Sequence, residues 1–333
     1  MIKVGSASAE KGQKGHGFLK VGELSVHSEI QIPVLIVNGK EEGPTLWVAG
    51  AVHGFEIEGF LATRRVAFNL DPNKLKGCLI CTPLCNPLAT QWRQKRSPYD
   101  FLDMDQEFPG KPDGSYSQRV AHILFQEIKE KANYTLIFHS ARPTSMLEPY
   151  TVYKTVAGVS PEITSEVERF AKAFGLIVNS KVDLSTAKGE LPGSMRGALD
   201  VNCVLHGIPA FMAEIGRAQM FEEKHTSAGE RGLYNLLKYL NMIPGEIDYP
   251  KKQIIITKRR FASANKAGFL IMDAKPATIV RKGHRIAHII DLFSELEVME
   301  AEEDSFIIVG SGEAIVHIGD VVAVIGSEWG ENL

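Results

Sequence analysis

Four side chains in this sequence have the types and spacing that hydrolytic metal chemistry requires. His53 and Glu56 lie three residues apart in GAVHGFEIEG, His139 comes near the end of YTLIFHS, and Glu214 comes near the end of PAFMAEIG. Singly, each has an ordinary explanation. A histidine at a strand end is usually a hydrogen-bonded structural residue, and a glutamate three residues later often complements a helix N-terminus. Their common location is the stronger signal. Each follows or ends an apolar β-type run, and open α/β sheets bind ligands outside the carboxyl ends of their strands. Two histidines and a glutamate can hold a catalytic zinc and leave a fourth position for water. Such a metal lowers the pKa of that water to about 7. One zinc per chain is therefore expected on His53, Glu56 and His139, with Glu214 accepting the water's proton and passing it to a leaving nitrogen. Asp103 is a candidate to orient a ligand histidine through its other ring nitrogen.

These positions need a scaffold that carries them to one edge. EIQIPVLIVNG reads as a strand ending in the Asn38-Gly39 turn, and Thr45 to Val52 reads as a buried strand. From Glu56 to Leu70 the spacing of Ile57, Phe60, Leu61 and Phe68 becomes helical, and Asp71-Pro72 stops the helix. A short strand at Cys78 to Thr82 precedes an irregular stretch from Leu84 to Ser115. Helices are expected around Gln118 to Lys131, Pro161 to Phe174, Ser194 to His206 and Phe221 to Leu240, with strands at YTLIFHS and PAFMAEIG. This alternation predicts an α/β domain with a largely parallel sheet covered by helices. Asn241 to Pro250 reads as a linker, which divides the chain into units 1–243 and 244–333. Beyond it come short strands and tight turns. Val280, Gly283, Ile286, Ala287 and Ile289 recur 36 residues later as Val316, Gly319, Val322, Ala323 and Ile325, which predicts a small β-barrel or sandwich built by duplication.

Composition narrows the function classes. With 44% hydrophobic and 23% charged residues, the chain has the balance of a globular protein with a sizeable core. A formal net charge of −3 provides no field for nucleic acid or an anionic membrane. No apolar run is long enough to span a bilayer, and MIKVGSASAEKGQKGHG lacks the apolar region of a secretory signal. A cytoplasmic enzyme with a small-molecule substrate is expected, without nucleic-acid or membrane partners. Cys78, Cys81 and Cys85 lack a second Cys/His pair at finger spacing and read as small buried hydrophobes. Cys203, His206 and His225 fall on predicted helices, and His284 and His288 on one strand face, where packed or solvated roles are expected. Neither GxxxxGK[ST] nor a GxGxxG after a strand is present. The basic clusters Lys251-Lys252 and Lys258-Arg259-Arg260 read as a solvated face.

GAVHGFEIEG, NPLATQWRQKRS, LDMDQEFPG, FHSA, PGSMRGALD and GIPAFMAEIG occur in the order that resembles the succinylglutamate desuccinylase/aspartoacylase family of the zinc carboxypeptidase clan, over roughly residues 40 to 220. The resemblance implies a carboxypeptidase-like mixed, largely parallel sheet flanked by helices, with a smaller all-β, barrel-sandwich-like C-terminal domain. It makes His53, Glu56 and His139 the zinc ligands and Glu214 the general base. It puts an oxyanion-stabilising arginine on Arg93, with Arg96 nearby, and the aspartate behind a metal ligand on Asp103. Two positions depart from the family's pattern. Phe138 replaces an aspartate before the third ligand, and Asp105-Gln106 replaces the Asn-Arg pair that grips a substrate carboxylate. Arg142 and Arg196 adjoin site motifs and are candidate replacements for the missing cation.

The expected activity is zinc-dependent hydrolysis of an amide in a small N-acylated amino acid or amine. The alternatives are a small-peptide metallocarboxypeptidase and a non-catalytic binding protein that keeps the fold. The β-rich tail also resembles lipoyl and biotinyl carrier domains, but no lysine follows Lys282 and the stretch expected to form the carrier turn is SELEVMEAEED. That chemistry leaves the tail a structural or oligomer-forming role, and a homo-oligomer is expected.

Overall fold

The structure, a computed structural model, describes residues 1–187 and 195–332. Leu46, Trp47, Val48 and Ala49 are all fully buried, the mark of a strand covered on both faces. Their strand, Glu41–Gly50, lies between Lys76–Thr82 and Tyr134–Ala141 and is parallel to both. Beyond Tyr134–Ala141 comes Ala210–Arg217, also parallel, followed by the antiparallel Tyr150–Thr155. On the other side Glu29–Asn38 and Gln13–Glu23 extend the sheet antiparallel. The result is a mixed α/β sheet flanked by helices, among which Glu58–Asn69 and Pro161–Ala173 both pack on Glu223–Tyr239.

Several strands are absent from the sequence reading, among them Gln13–Glu23 and, nearest the site, Tyr150–Thr155 (YTVYKT) and Val178–Asp183 (VNSKVD). In the latter two the buried positions include Thr151, Lys154, Asn179 and Ser180, so the apolar alternation that marks a strand is missing. Tertiary partners satisfy these groups instead. Thr151 Oγ1 lies 2.6 Å from Asn179 Oδ1, and the Lys154 ammonium donates to both Asp200 oxygens at 2.6 and 2.8 Å. The helix expected from Ser194 begins as a short turn at Met195–Gly197 and becomes α-helical over Leu199–Leu205; Ser194 itself lies outside the described residues.

The expected division at 243/244 falls between the Glu223–Tyr239 helix and the strand Gln253–Ser263. Strand pairing runs across it. Gln253–Ser263 is parallel to Val178–Asp183 and antiparallel to Val321–Asn332, so the sheet continues into the C-terminal unit. A separate four-stranded sheet holds Gly268–Met272, Arg285–Ile290, Glu295–Glu300 and Ile315–Val316. The 36-residue repeat appears as paired turns. Gly283 and Gly319 have φ of 78° and 90°, and their turns close through His284 N–H to Arg281 O and Asp320 N–H to His317 O. Positive φ at the third turn position is the type II geometry that favours glycine. SELEVMEAEED, read above as a turn, contains the strand Glu295–Glu300.

Candidate metal centre

His53 and Glu56 are placed by a turn between strand and helix. The strand stops at Gly50, Ala51 takes a left-handed φ of 47°, and Glu56 N–H bonds to His53 O at 3.0 Å before the helix begins at Glu58. Asn86 braces this turn. It is fully buried, bonds through its backbone N–H to Ala51 O and donates from Nδ2 to Val52 O at 3.2 Å. His139 arrives on the Tyr134–Ala141 strand, and Glu214 is its Cα partner on the neighbouring strand.

The nitrogen and carboxylate atoms converge. Nδ1 of His53 lies 2.8 Å from Glu56 Oε1, and Nδ1 of His139 lies 2.9 Å from Glu56 Oε2. Ser140 N–H also donates to Oε2, at 3.1 Å. Candidate donor atoms of His53, Glu56 and His139 all fall within 4.8 Å of one another, and the three residues are buried. Asp103 Oδ1 sits 3.0 Å from His53 Nε2, while its Oδ2 pairs with Lys95 Nζ at 2.9 Å. One imidazole is thus oriented from behind by a carboxylate, leaving its Nδ1 turned to the cluster, an arrangement typical of metal-binding histidines. Two imidazoles and a carboxylate, buried together and so braced, suit a zinc ion.

Charge couples the same groups. Burial by itself would lower the pKa of His53, but the Glu56 and Asp103 carboxylates outweigh it and hold the imidazole up at about 10. Burial opposes ionisation of Glu56, yet the imidazoles of His53 and His139 bring it down to about 2. Glu214 behaves oppositely. Burial pushes its carboxyl up, against the pull of His139, His53 and Arg259, and the nearby Glu56 charge reinforces the rise. A carboxyl made reluctant to stay ionised is suited to accept and hold a proton.

A cavity of about 670 Å³ opens over the cluster. His53, Glu56, Asp103, Asp105, Gln106, His139, Arg142 and Glu214 line it, so the fold gathers eight of the residues singled out by sequence. Arg93, Arg96 and Arg196 are exposed and are not among its lining residues. Arg93 has a φ of 52° just after the short helix Pro87–Gln91, and from this stretch Lys95 is the side chain that lines the cavity. Phe138 has a packing role. Adjacent residues of a strand face opposite ways, and a Cβ added to Gly59 would come within 2.3 Å of Phe138, so this ring fills the space that the helix glycine leaves.

Sequence reasoning missed Tyr150, Lys154 and Arg259 in the cavity wall. Arg259 is a correction: it was expected on a solvated face but is only 7% exposed. The far wall also includes Phe261, Val309 and Val321 to Val324, from the C-terminal unit.

The fold and cluster define an α/β protein with a candidate His-Glu-His metal centre at the carboxyl ends of its sheet strands. Residues 42–240 match the succinylglutamate desuccinylase/aspartoacylase catalytic domain, and the chain belongs to that family. It is 26% identical to the N-alpha-acetyl-L-2,4-diaminobutyric acid deacetylase of Halomonas elongata over 323 residues, covering 93% of this chain and 90% of the relative. Among solved structures it is similar to a succinylglutamate desuccinylase/aspartoacylase from Rhodobacter sphaeroides, with a TM-score of 0.82, 24% identity and 94% of each chain covered. It is also similar to the product-bound ectoine utilization protein from Ruegeria pomeroyi, with a TM-score of 0.83, 22% identity, and 96% of this chain and 98% of that one covered.

Proposed function

We propose that this chain is a zinc-dependent deacylase that cleaves the amide of a small N-acylated amino acid carrying a second, cationic amine. The observation that carries this reading is the convergence of the His53 and His139 Nδ1 atoms on the two Glu56 oxygens, with Glu214 in register beside His139. His53, Glu56 and His139 would hold the zinc, which when bound would supply an activated water nucleophile at neutral pH. Glu214 would accept a proton at its carboxylate from the water whose oxygen bonds to the carbonyl carbon, and would pass it to the leaving nitrogen as the C–N bond breaks. Asp103 and Lys95 keep the His53 ring in one orientation throughout.

The cationic amine is assigned from Asp105. This carboxylate is 5% exposed, accepts Leu199 N–H at 3.2 Å, lines the cavity and has no salt bridge among the described residues. A substrate ammonium would compensate its buried charge, whereas a second substrate carboxylate would be repelled. The deacetylase from Halomonas elongata is named for a substrate of this kind, an N-acetylated diamino acid.

The test combines metal analysis of purified protein with a hydrolysis screen. About one zinc per chain is expected, with N-acetyl-2,4-diaminobutyrate turned over well and N-acetylaspartate and N-succinylglutamate poorly. Efficient cleavage of N-acetylaspartate would overturn the role given to Asp105. Release of free amino acids from dipeptides alone would assign a carboxypeptidase instead.

A further inference from the structure

Three cavity side chains stand in one row across the sheet. Glu214 on Ala210–Arg217 is the Cα partner of His139 on one neighbouring strand and of Tyr150 on the other. Across the sheet the order is Glu41–Gly50, which leads into His53 and Glu56, then Tyr134–Ala141, Ala210–Arg217 and Tyr150–Thr155. Side chains alternate along a strand, and Tyr150, Val152 and Lys154 all line the cavity, as do Met212 and Glu214. Tyr150 therefore shares the face of Glu214 and stands directly opposite it, at the Cβ separation of about 5 Å that such pairs have. It lies on the side of Glu214 away from His139.

The neighbouring polar groups on this face are committed. His139 Nδ1 meets Glu56, and the Lys154 ammonium is held by Asp200. Tyr150 differs. It is only 7% exposed, yet its hydroxyl has no hydrogen bond among the described residues. Its ring belongs to the apolar cluster of Leu147, Val152 and Val178, which fixes the side chain in the wall. Burial, reinforced by the charges of Glu214 and Glu56, pushes the phenol well up, so the hydroxyl keeps its proton and is available as a donor. A buried donor without a partner is costly, and at a cavity wall a ligand can complete it. The Arg259 charge acts on both Glu214 and Tyr150 in the direction that favours an anion there.

We propose that Tyr150 is a specificity-determining residue whose hydroxyl donates a hydrogen bond to the carboxylate of the amino acid being released. This rests on the deacylase reading above. Glu214 must reach both the attacking water and the leaving nitrogen. The candidate ligands lie on the His139 side of Glu214, so the acyl carbon belongs on that side and the amine half extends toward Tyr150. In an N-acylated amino acid the carboxylate is two bonds from the scissile nitrogen. A nitrogen within reach of Glu214 therefore brings that carboxylate to the residue directly opposite Glu214 on the next strand.

The test uses the full-length, zinc-loaded protein and its Tyr150→Phe variant, which loses the oxygen and keeps the ring. Calorimetry compares 2,4-diaminobutyrate with 1,3-diaminopropane, which lacks only the carboxylate, and kcat/KM compares Nα-acetyl-2,4-diaminobutyrate with N-acetyl-1,3-diaminopropane. The unaltered protein should prefer the carboxylate-bearing member at least about tenfold in both measurements. Tyr150→Phe should weaken that member about 10- to 100-fold, chiefly through KM, and change the other less than about threefold, with zinc content and thermal midpoint unchanged. Absence of a preference in the unaltered protein, or a preference that Tyr150→Phe leaves intact, would overturn the proposal. Equal losses on both members would also overturn it. In kcat alone they would move the hydroxyl to the reacting carbonyl, and with a lower thermal midpoint or zinc content they would make Tyr150 a structural residue. If neither acetylated probe is hydrolysed, the deacylase reading fails, and the calorimetric comparison still decides for or against Tyr150.

Discussion

Replacing one group at a time separates its roles at the metal centre. On the zinc proposal, His53→Ala and His139→Ala should each remove most bound zinc, because each deletes a candidate ligand nitrogen. Glu214→Gln should keep the metal and lose about 100-fold or more in kcat, since it removes a proton acceptor and no ligand. Zinc loss from Glu214→Gln would make that residue a ligand and break the division of labour. Asp103→Asn should weaken zinc binding about 10- to 100-fold, because His53 loses its charged orienting partner. Asp105→Asn should raise KM for an amine-bearing substrate about tenfold with a smaller change in kcat, as expected for loss of a ground-state contact. Protons would compete with zinc at these candidate ligand nitrogens. His53 is raised from 6.5 to about 10 in the metal-free protein, so its protonated form stabilises the fold fully below pH 6.5 and that contribution is lost as pH rises through about 10. Zinc affinity should accordingly rise with pH across this window while the stability of the metal-free protein falls. Chelator competition and thermal unfolding at several pH values measure the two trends, and a pH-independent affinity would contradict the proton-loaded site.

Secondary-structure elements hold these groups in register through contacts that the residue scale does not reveal. Phe138 precedes His139 on the same strand and packs where Gly59 leaves the first helix without a side chain. Gly59→Ala would force that ring aside and should cost about 1–3 kcal/mol, as overpacking does. Phe138→Gly combined with it should recover part of the loss, because it removes the Cβ and Cγ that the new methyl would meet and residues in contact are not additive. Denaturant midpoints of the two single variants and the double variant provide the cycle, and simple additivity would contradict the contact. Asn86 illustrates the same logic at the turn before His53. Its hydrogen bonds to Ala51 and Val52 fix the turn that presents His53, so Asn86→Ala should lower zinc affinity although Asn86 is not one of the candidate ligands.

Across the whole molecule, the C-terminal unit forms a wall of the cavity over the candidate metal centre and continues the sheet. Removing residues after Pro244 would strip Val178–Asp183 of one of its two parallel neighbours, delete Ile254 and Ile256 from the apolar cluster they share with Val178 and Val182, and leave an unpaired edge there. Such a truncation should aggregate or unfold without cooperativity, read by size-exclusion chromatography and calorimetry. A monomeric, cooperatively folded fragment with intact zinc binding would show the unit to be dispensable. The tail resembles a carrier domain through its duplicated turns at Gly283 and Gly319, but no lysine follows Lys282, so intact mass should show no lipoyl or biotinyl addition.

The candidate metal cluster was legible in the sequence because it resides in side chains near strand ends whose apolar runs declare themselves. Thr45 to Val52, YTLIFHS and PAFMAEIG carry an apolar signal strong enough to locate His53, His139 and Glu214 before any tertiary contact is known. The helices at Glu58–Asn69, Tyr116–Lys131 and Glu223–Tyr239 were legible for the same reason, their amphipathic spacing. Tyr150–Thr155 and Val178–Asp183 were not, since their buried polar groups find partners such as Asp200 only in the assembled fold. The inward turn of Arg259 depends on a bulge against Val321–Asn332, a partner about 70 residues away in the chain. Local sequence determines what each segment prefers to bury, whereas the pairing register decides which face a side chain presents and therefore what lines the cavity.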